Sequence, residues 1–281
     1  MAEAKKVTTE TLRKMKEAGE KISMVTAYDY PTARIVDEAG IEIILVGDSV
    51  GNVVLGYPNT VPVEVDEIIH HAKAVMRGVK TSLVVGDMPF MSFNVSAEQA
   101  MTNAGRLAKE GGTDVVKLEG GEEVADVVRA IVTRCGIPVM GHIGLTPQRV
   151  SQLGGFKVQG KDIGKARKVL ADARILEDAG AFALILECVP YPLAKKITES
   201  VSIPTIGIGG GPYCDGQVLV LHDLLGLTAG FQAKFVKRYA NLNETIKEAL
   251  LAYKAEVASG TFPSIETHSF TMNADVLAEL E

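Results

Sequence analysis

The sequence predicts a closed (β/α)8 barrel preceded by an N-terminal helix. Three observations carry that prediction. Short β-branched apolar runs alternate with amphipathic helical stretches, the runs are apolar along their whole length, and about eight such units fit into 281 residues. Strands buried on both faces and separated by helices belong to a parallel sheet covered by helices. An open doubly wound sheet would satisfy the first two observations. The number of units in this length favours the barrel, a fold that runs to about 250 residues as one unit.

The first element is a helix over about Thr8–Ala18, with a threonine available to cap it. Strands follow at Ser23–Thr26, Ile41–Val46, Ser82–Val85, Asp114–Leu118, Pro138–Gly141, Phe182–Leu186 and Pro204–Ile208, and an eighth lies near Val218–Leu225. Between them, Val65–Arg77, Ala97–Glu110 and Ile163–Ala179 carry apolar residues at the three- and four-residue spacing of a helix with one buried face. Ser96 and Gln99 form the pattern of a capping box. Gly40, Gly112 and Gly180 stand where a left-handed residue closes a helix before the next strand. The chain reads as one domain over residues 1–281, with 261–281 as a C-terminal tail that carries His268 and a short helix.

Composition narrows the function classes. Hydrophobic residues make up 47% and charged residues 23%, enough for a large packed core. The net charge of -6, with both signs scattered along the chain, argues against nucleic acid or an anionic membrane as partner. The three cysteines are far apart and odd in number, which fits a reducing cytoplasm. The charged N-terminal stretch reads as no targeting segment, and no apolar run is long enough to span a bilayer.

The informative feature is where the acids fall. Chemistry in a parallel barrel sits at the C-terminal ends of the strands. ILVGDS delivers Asp48 there, VVGDMPF delivers Asp87, VVKLEGG delivers Lys117 and Glu119, and LILECVP delivers Glu187. A single acid after a strand is often just the N-cap of the next helix. Clustered like charges are costly unless a cation or proton compensates, so the set points to a site. Carboxylates without neighbouring His or Cys ligands form a hard oxygen environment that suits Mg²⁺ better than zinc. Such an ion chelates a 2-keto acid and stabilises the enolate formed when a neighbouring C–H is lost. Lys117 adds a positive charge against that carboxylate or enolate, or else serves as a structural ion-pair partner of Glu119. His142, in PVMGHIGLTPQ, reaches the same rim, where it can bond a substrate oxygen, shuttle a proton or be a satisfied rim histidine. His70, His71 and His222 receive no chemistry. The stretch GIGGGPYCDG lies where many barrels hold phosphate, although its spacing matches neither a P-loop nor a dinucleotide fingerprint, and it equally suits tight turns.

Several longer motifs occur in a fixed order: TAYDYPTA, LVGDSVGNVVLGYPNT, DMPFMSF, VKLEGG, GHIGLTPQ, GGFKVQG, LECVP, IGIGGGPYCDGQVLV and HSF. Over about residues 20–270 the chain resembles the ketopantoate hydroxymethyltransferase (3-methyl-2-oxobutanoate hydroxymethyltransferase) family. The resemblance implies a TIM barrel like that of the phosphoenolpyruvate mutase and isocitrate lyase group. It also implies transfer of a one-carbon unit from methylenetetrahydrofolate to α-ketoisovalerate, giving ketopantoate for pantothenate synthesis. Carried over by position, it implies Asp48 and Asp87 as Mg²⁺ ligands, with Glu119 completing the site directly or through water. Asp48, Ser49, Asp87 and Lys117 would contact the keto acid, and Glu187 would accept the proton; His142 joins them as a candidate substrate contact from its place at the rim and not from the resemblance. A cytoplasmic homo-oligomer, commonly a decamer, is the implied assembly.

Two rival readings differ in class. A related metal-dependent lyase or mutase would use almost the same acids, but lyases of the isocitrate type carry a catalytic cysteine in a K-x-C-G-H loop, which LEGGEE and GHIGL do not provide. A non-catalytic barrel that binds a keto acid or folate would lack a base or a metal ligand, and here the whole set is present.

Overall fold

The computed structural model describes residues 5–149, 155, 157–228, 230 and 232–280. Part of the GGFKVQG motif therefore lies outside the described residues. Eight strands are present: β1 Ile22–Thr26, β2 Ile43–Val46, β3 Leu83–Asp87, β4 Val115–Glu119, β5 Val139–Gly144, β6 Ala183–Glu187, β7 Thr205–Ile208 and β8 Gly216–Leu219. They pair in sequence order, all parallel, and β8 returns to β1 to close the barrel.

The pleat sorts each strand into two sets of residues. Ile22, Met24, Ile43, Leu45, Leu83, Val85, Val115, Met140, Ala183, Ile185, Ile206 and Val218 form one buried cluster, the interior of the barrel. Their neighbours of opposite parity, such as Val25, Ile44, Val84, Val116, Leu118 and Leu184, pack in a second cluster with the helices. Helix α1 (Thr9–Ala18) joins the interior cluster through fully buried Leu12. Its N-cap is Thr8, whose hydroxyl accepts the Thr11 N–H.

The outer layer includes α2 (Tyr30–Glu38), α3 (Val50–Val53), α4 (Val65–Gly78), α5 (Ala97–Arg106), α6 (Ala125–Ala130), α7 (Ile163–Asp178) and α8 (Tyr191–Ser200). The helix expected over 97–110 changes after Arg106 into a π-helical turn, Leu107–Gly111, and ends on left-handed Gly112. The capping box forms by half. Ser96 accepts the Gln99 N–H, but the Gln99 side chain accepts from Val95 N–H, one residue before the cap.

Two features of the C-terminal half correct the sequence expectation. The eighth strand begins earlier than Val218 and stops at Leu219, and α9 (Leu221–Leu224) follows it. Its first residue must be glycine, because a Cβ at Gly216 would lie 2.4 Å from the Ile22 carbonyl oxygen of β1. A glycine start hides the strand from a search for apolar runs. In addition, β7 and β8 are joined by residues 209–215 with no helix between them. Here Gly209 and Gly211 are left-handed and press against Phe235 and Tyr191, so packing accounts for the glycines of this stretch.

Beyond the barrel, α10 (Leu242–Ser259) and the short helices α11 (Ile265–His268) and α12 (Ala274–Ala278) bury no residue. No helix among the described residues is long and apolar enough to cross a membrane. The three cysteines are unpaired.

Candidate active site

The inward parity of the strands continues upward into chemistry. On β3 the series Leu83, Val85 ends in Asp87; on β4, Val115 leads to Lys117 and Glu119; on β5, Met140 leads to His142; on β6, Ala183 and Ile185 lead to Glu187. Strand register sets Asp87 beside Lys117, Glu119 beside His142, and Gly144 beside Glu187. Asp48 and Ser49 lie past the end of β2, in the turn that opens α3. All seven residues singled out in the sequence, Asp48, Ser49, Asp87, Lys117, Glu119, His142 and Glu187, line one cavity of about 200 Å³ at this end of the barrel.

A continuous polar chain runs around the wall. The Asp48 N–H donates to Asp87 Oδ2 at 3.0 Å, and the Lys117 ammonium donates to the same oxygen at 3.0 Å and to Glu119 Oε1 at 3.4 Å. Gln148 donates its backbone N–H to Glu119 Oε2 at 3.1 Å and its side-chain Nε2 to Asp48 Oδ2 at 2.9 Å. Tyr28 OH and Ser49 Oγ share a hydrogen bond of 2.8 Å. Sequence reasoning missed Gln148 and Tyr28, whose partners are distant in the chain and whose residue types carry no charge. Apolar side chains also line the cavity, among them Ile185, Ile208, Val218, Phe235 and Val236.

Electrostatics set these acids apart from structural ones. Asp37, outside the cavity, is raised by burial, but the N–H groups of Ser82, Thr81 and Lys80 outweigh this and hold it down at about 2. In the cavity, burial pushes Asp87 and Glu119 upward, against the pull of Lys117. Burial also raises Glu187 to about 8, with Lys117 opposing and Asp48 adding to the rise. Burial and Lys117 together lower His142 to about 4, so its imidazole is neutral at pH 7. Lys117 would be lowered by its own burial, but Asp87, Glu119 and Asp48 keep it charged.

Five carboxyl groups, those of Asp48, Asp87, Glu119, Glu187 and Asp223, thus share the described cavity wall with a single lysine. Asp87 Oδ1 is buried and has no hydrogen-bond partner. Excess buried acid with a free lone pair is a donor set for a hard cation. Among the described residues no three His, Cys, Asp or Glu side chains converge closely enough to hold an ion by themselves. An ion here would therefore have to keep ligands besides these side chains, as hard cations commonly do.

The family model for ketopantoate hydroxymethyltransferase matches residues 6–265. The chain belongs to this family. It is 60% identical to the 3-methyl-2-oxobutanoate hydroxymethyltransferase of Carboxydothermus hydrogenoformans, over 98% of this chain and 99% of that one. It is 59% identical to the enzyme of the same name from Moorella thermoacetica, over 96% of this chain and the whole of that one. Among solved structures, the fold matches phosphoenolpyruvate phosphomutase from Streptomyces platensis subsp. rosaceus, with a TM-score of 0.60, 15% identity and coverage of 97% and 94% of the two chains. It also matches 2,3-dimethylmalate lyase, a member of the PEP mutase/isocitrate lyase superfamily, with a TM-score of 0.58, 14% identity and coverage of 97% and 93%. The ketopantoate hydroxymethyltransferase family thus shares its barrel with lyases and mutases, while the sequence similarity over the whole chain is to hydroxymethyltransferases.

Proposed function

We propose that the chain is a 3-methyl-2-oxobutanoate hydroxymethyltransferase, which catalyses the first committed reaction of pantothenate synthesis. In the proposed reaction the branched carbon of 3-methyl-2-oxobutanoate loses its proton, the resulting enolate attacks the methylene carbon of methylenetetrahydrofolate, and water then replaces the folate nitrogen on that carbon, giving ketopantoate and tetrahydrofolate. The observation that carries this reading is the placement of one carboxyl raised to about 8, Glu187, across a cavity from the acid pair Asp48 and Asp87. A base and a cation site on facing walls are what removal of a proton next to a ketone requires.

Asp48 and Asp87 would hold the Mg²⁺, with Glu119 contributing directly or through water. When bound, the ion supplies the electron withdrawal that acidifies the carbon next to the keto group. The remaining roles belong to the chain. The Lys117 ammonium, kept charged by its acid neighbours, attracts the substrate carboxylate. Ser49, oriented by Tyr28 OH, offers a hydroxyl to a substrate oxygen. His142, neutral at pH 7, donates or accepts a hydrogen bond without adding charge. Ile185, Ile208 and Val218 offer a dry surface to the isopropyl group. Glu187 takes the proton, and its raised affinity makes it a stronger base once ionised.

We also assign residues 1–281 to one domain, place the protein in the cytoplasm and read it as a homo-oligomer. The exposed apolar side chains of α10, Ile246, Leu250, Leu251 and Tyr253, support an assembly.

The test is deuterium exchange at the branched carbon of the keto acid, followed by NMR without folate. The expected result is Mg²⁺-dependent exchange in the wild type that disappears in Glu187→Gln. No exchange by folded, Mg²⁺-loaded wild type would overturn the reading and bring forward a lyase.

A further inference from the structure

The residue that ties the acids of the site together is itself uncharged. Gln148 lies in the 3₁₀ turn Pro147–Arg149 that follows β5 and is 4% exposed. Its Nε2 donates to Asp48 Oδ2 at 2.9 Å and to the Met88 carbonyl at 3.0 Å, and its backbone N–H donates to Glu119 Oε2 at 3.1 Å. One residue after β5 thereby clasps the ends of β2, β3 and β4. Both partners of Nε2 are pure acceptors, so the amide has one acceptable orientation. Turned over, it would set Oε1 against a carboxylate.

The choice of a neutral donor has an electrostatic consequence. Lys117 supplies positive charge to Asp87 and Glu119. A lysine or arginine at 148 would do the same for Asp48 and remove the charge that attracts a cation. An amide fixes the direction of the Asp48 carboxylate and leaves that charge in place. Ligating carboxylates are commonly oriented by such an outer partner.

We infer that Gln148 is a positioning residue whose side-chain amide aims the carboxylate of Asp48 for divalent-cation binding. The inference rests on the metal-dependent reading given above and deepens it.

The experiment titrates Mn²⁺ into the metal-free full-length protein, with free ion read by electron paramagnetic resonance, for wild type, Gln148→Met and Gln148→Ala. Circular dichroism checks that each variant is folded. Methionine keeps the length and apolar volume but has no N–H to donate, and alanine opens room for water. The backbone bond to Glu119 is kept in both. A weakening of Mn²⁺ affinity by ~10- to 100-fold is expected, the usual cost of losing an outer-shell partner. The Mn²⁺ concentration for half-maximal exchange of the keto acid should rise in parallel, while the exchange rate at saturating Mn²⁺ recovers toward wild type. A purely structural residue would not produce that split. Unchanged Mn²⁺ affinity in a folded variant would overturn the inference and leave the metal-dependent reading intact. Loss of folding in both variants would assign Gln148 to the scaffold instead. A wild type that binds no Mn²⁺ would overturn both.

Discussion

His142 Nε2 lies 3.1 Å from Glu187 Oε2, and the contact is not an ion pair. Burial lowers the imidazole to about 4 and raises the carboxyl to about 8, so at pH 7 the histidine is neutral and the carboxyl is mostly protonated. The two groups approach without hydrogen-bond alignment, and both imidazole nitrogens lack a partner. Both ring nitrogens are therefore left for a substrate oxygen to bond. Glu187 is in the wrong protonation state for a base until something lowers its proton affinity.

A titration follows from this. In the metal-free protein, carboxyl ¹³C NMR should show a resonance with a midpoint near pH 8 that is absent in Glu187→Gln. Addition of Mg²⁺ should move the midpoint down, because a nearby cation favours the carboxylate. An unmoved midpoint would mean that the ion binds far from Glu187.

The same shift sets a sign for stability against pH. A carboxyl raised from its ordinary 4.5 to about 8 stabilises the fold fully below 4.5 and loses that contribution as pH rises to about 8. His142, lowered from 6.5 to about 4, works in the opposite sense and only between those values. Above pH 6.5 the histidine no longer contributes, while Asp87 and Glu119, also raised by burial, act in the same sense as Glu187. The thermal midpoint of the metal-free protein should fall across that window in a calorimetric scan, and Glu187→Gln should flatten the fall.

Lys117→Met should be among the most damaging substitutions in the barrel. It leaves Asp87 and Glu119 buried without their cation, and removing one partner of a buried pair costs about 3–5 kcal/mol. Chemical denaturation measures the loss. Mg²⁺ should restore part of it, because the ion supplies positive charge to the same acids.

Gly144→Ala should impair both fold and catalysis. The residue has φ 93°, and a Cβ there would lie 2.3 Å from the Glu187 carbonyl oxygen. Left-handed strain alone costs about 1–3 kcal/mol, and the clash adds to it. Keto-acid exchange should fall further than the loss of folded protein accounts for, because the shifted strand end carries the base. A folded variant with normal exchange would show that Glu187 tolerates displacement.

Much of this was legible from the residues alone. Short runs apolar along their whole length marked seven strands, and their C-terminal acids marked the mouth of the barrel, because local composition and sequence adjacency are enough to show both. The start of β8 was not legible, since Gly216 is set by close approach to Ile22 rather than by hydrophobicity. Nor was the direct passage from β7 to β8, because the glycines that allow it look the same as those of a phosphate loop. Gln148 was invisible for another reason. Its contact with Asp48 crosses 100 positions, and a neutral amide in GLTPQ gives no sign that it will face a carboxylate.

The alternation along each strand has one further consequence. The uppermost apolar rungs of the barrel, Leu45, Ile185 and Val218, are also the floor on which a substrate side chain would rest. Tolerance for a longer or bulkier keto acid is therefore bound to the integrity of the scaffold. Trimming Ile185 to valine makes room at the floor and costs about 0.5–1.5 kcal/mol of folding free energy. A barrel of this kind broadens its diet only by spending some of its own strength.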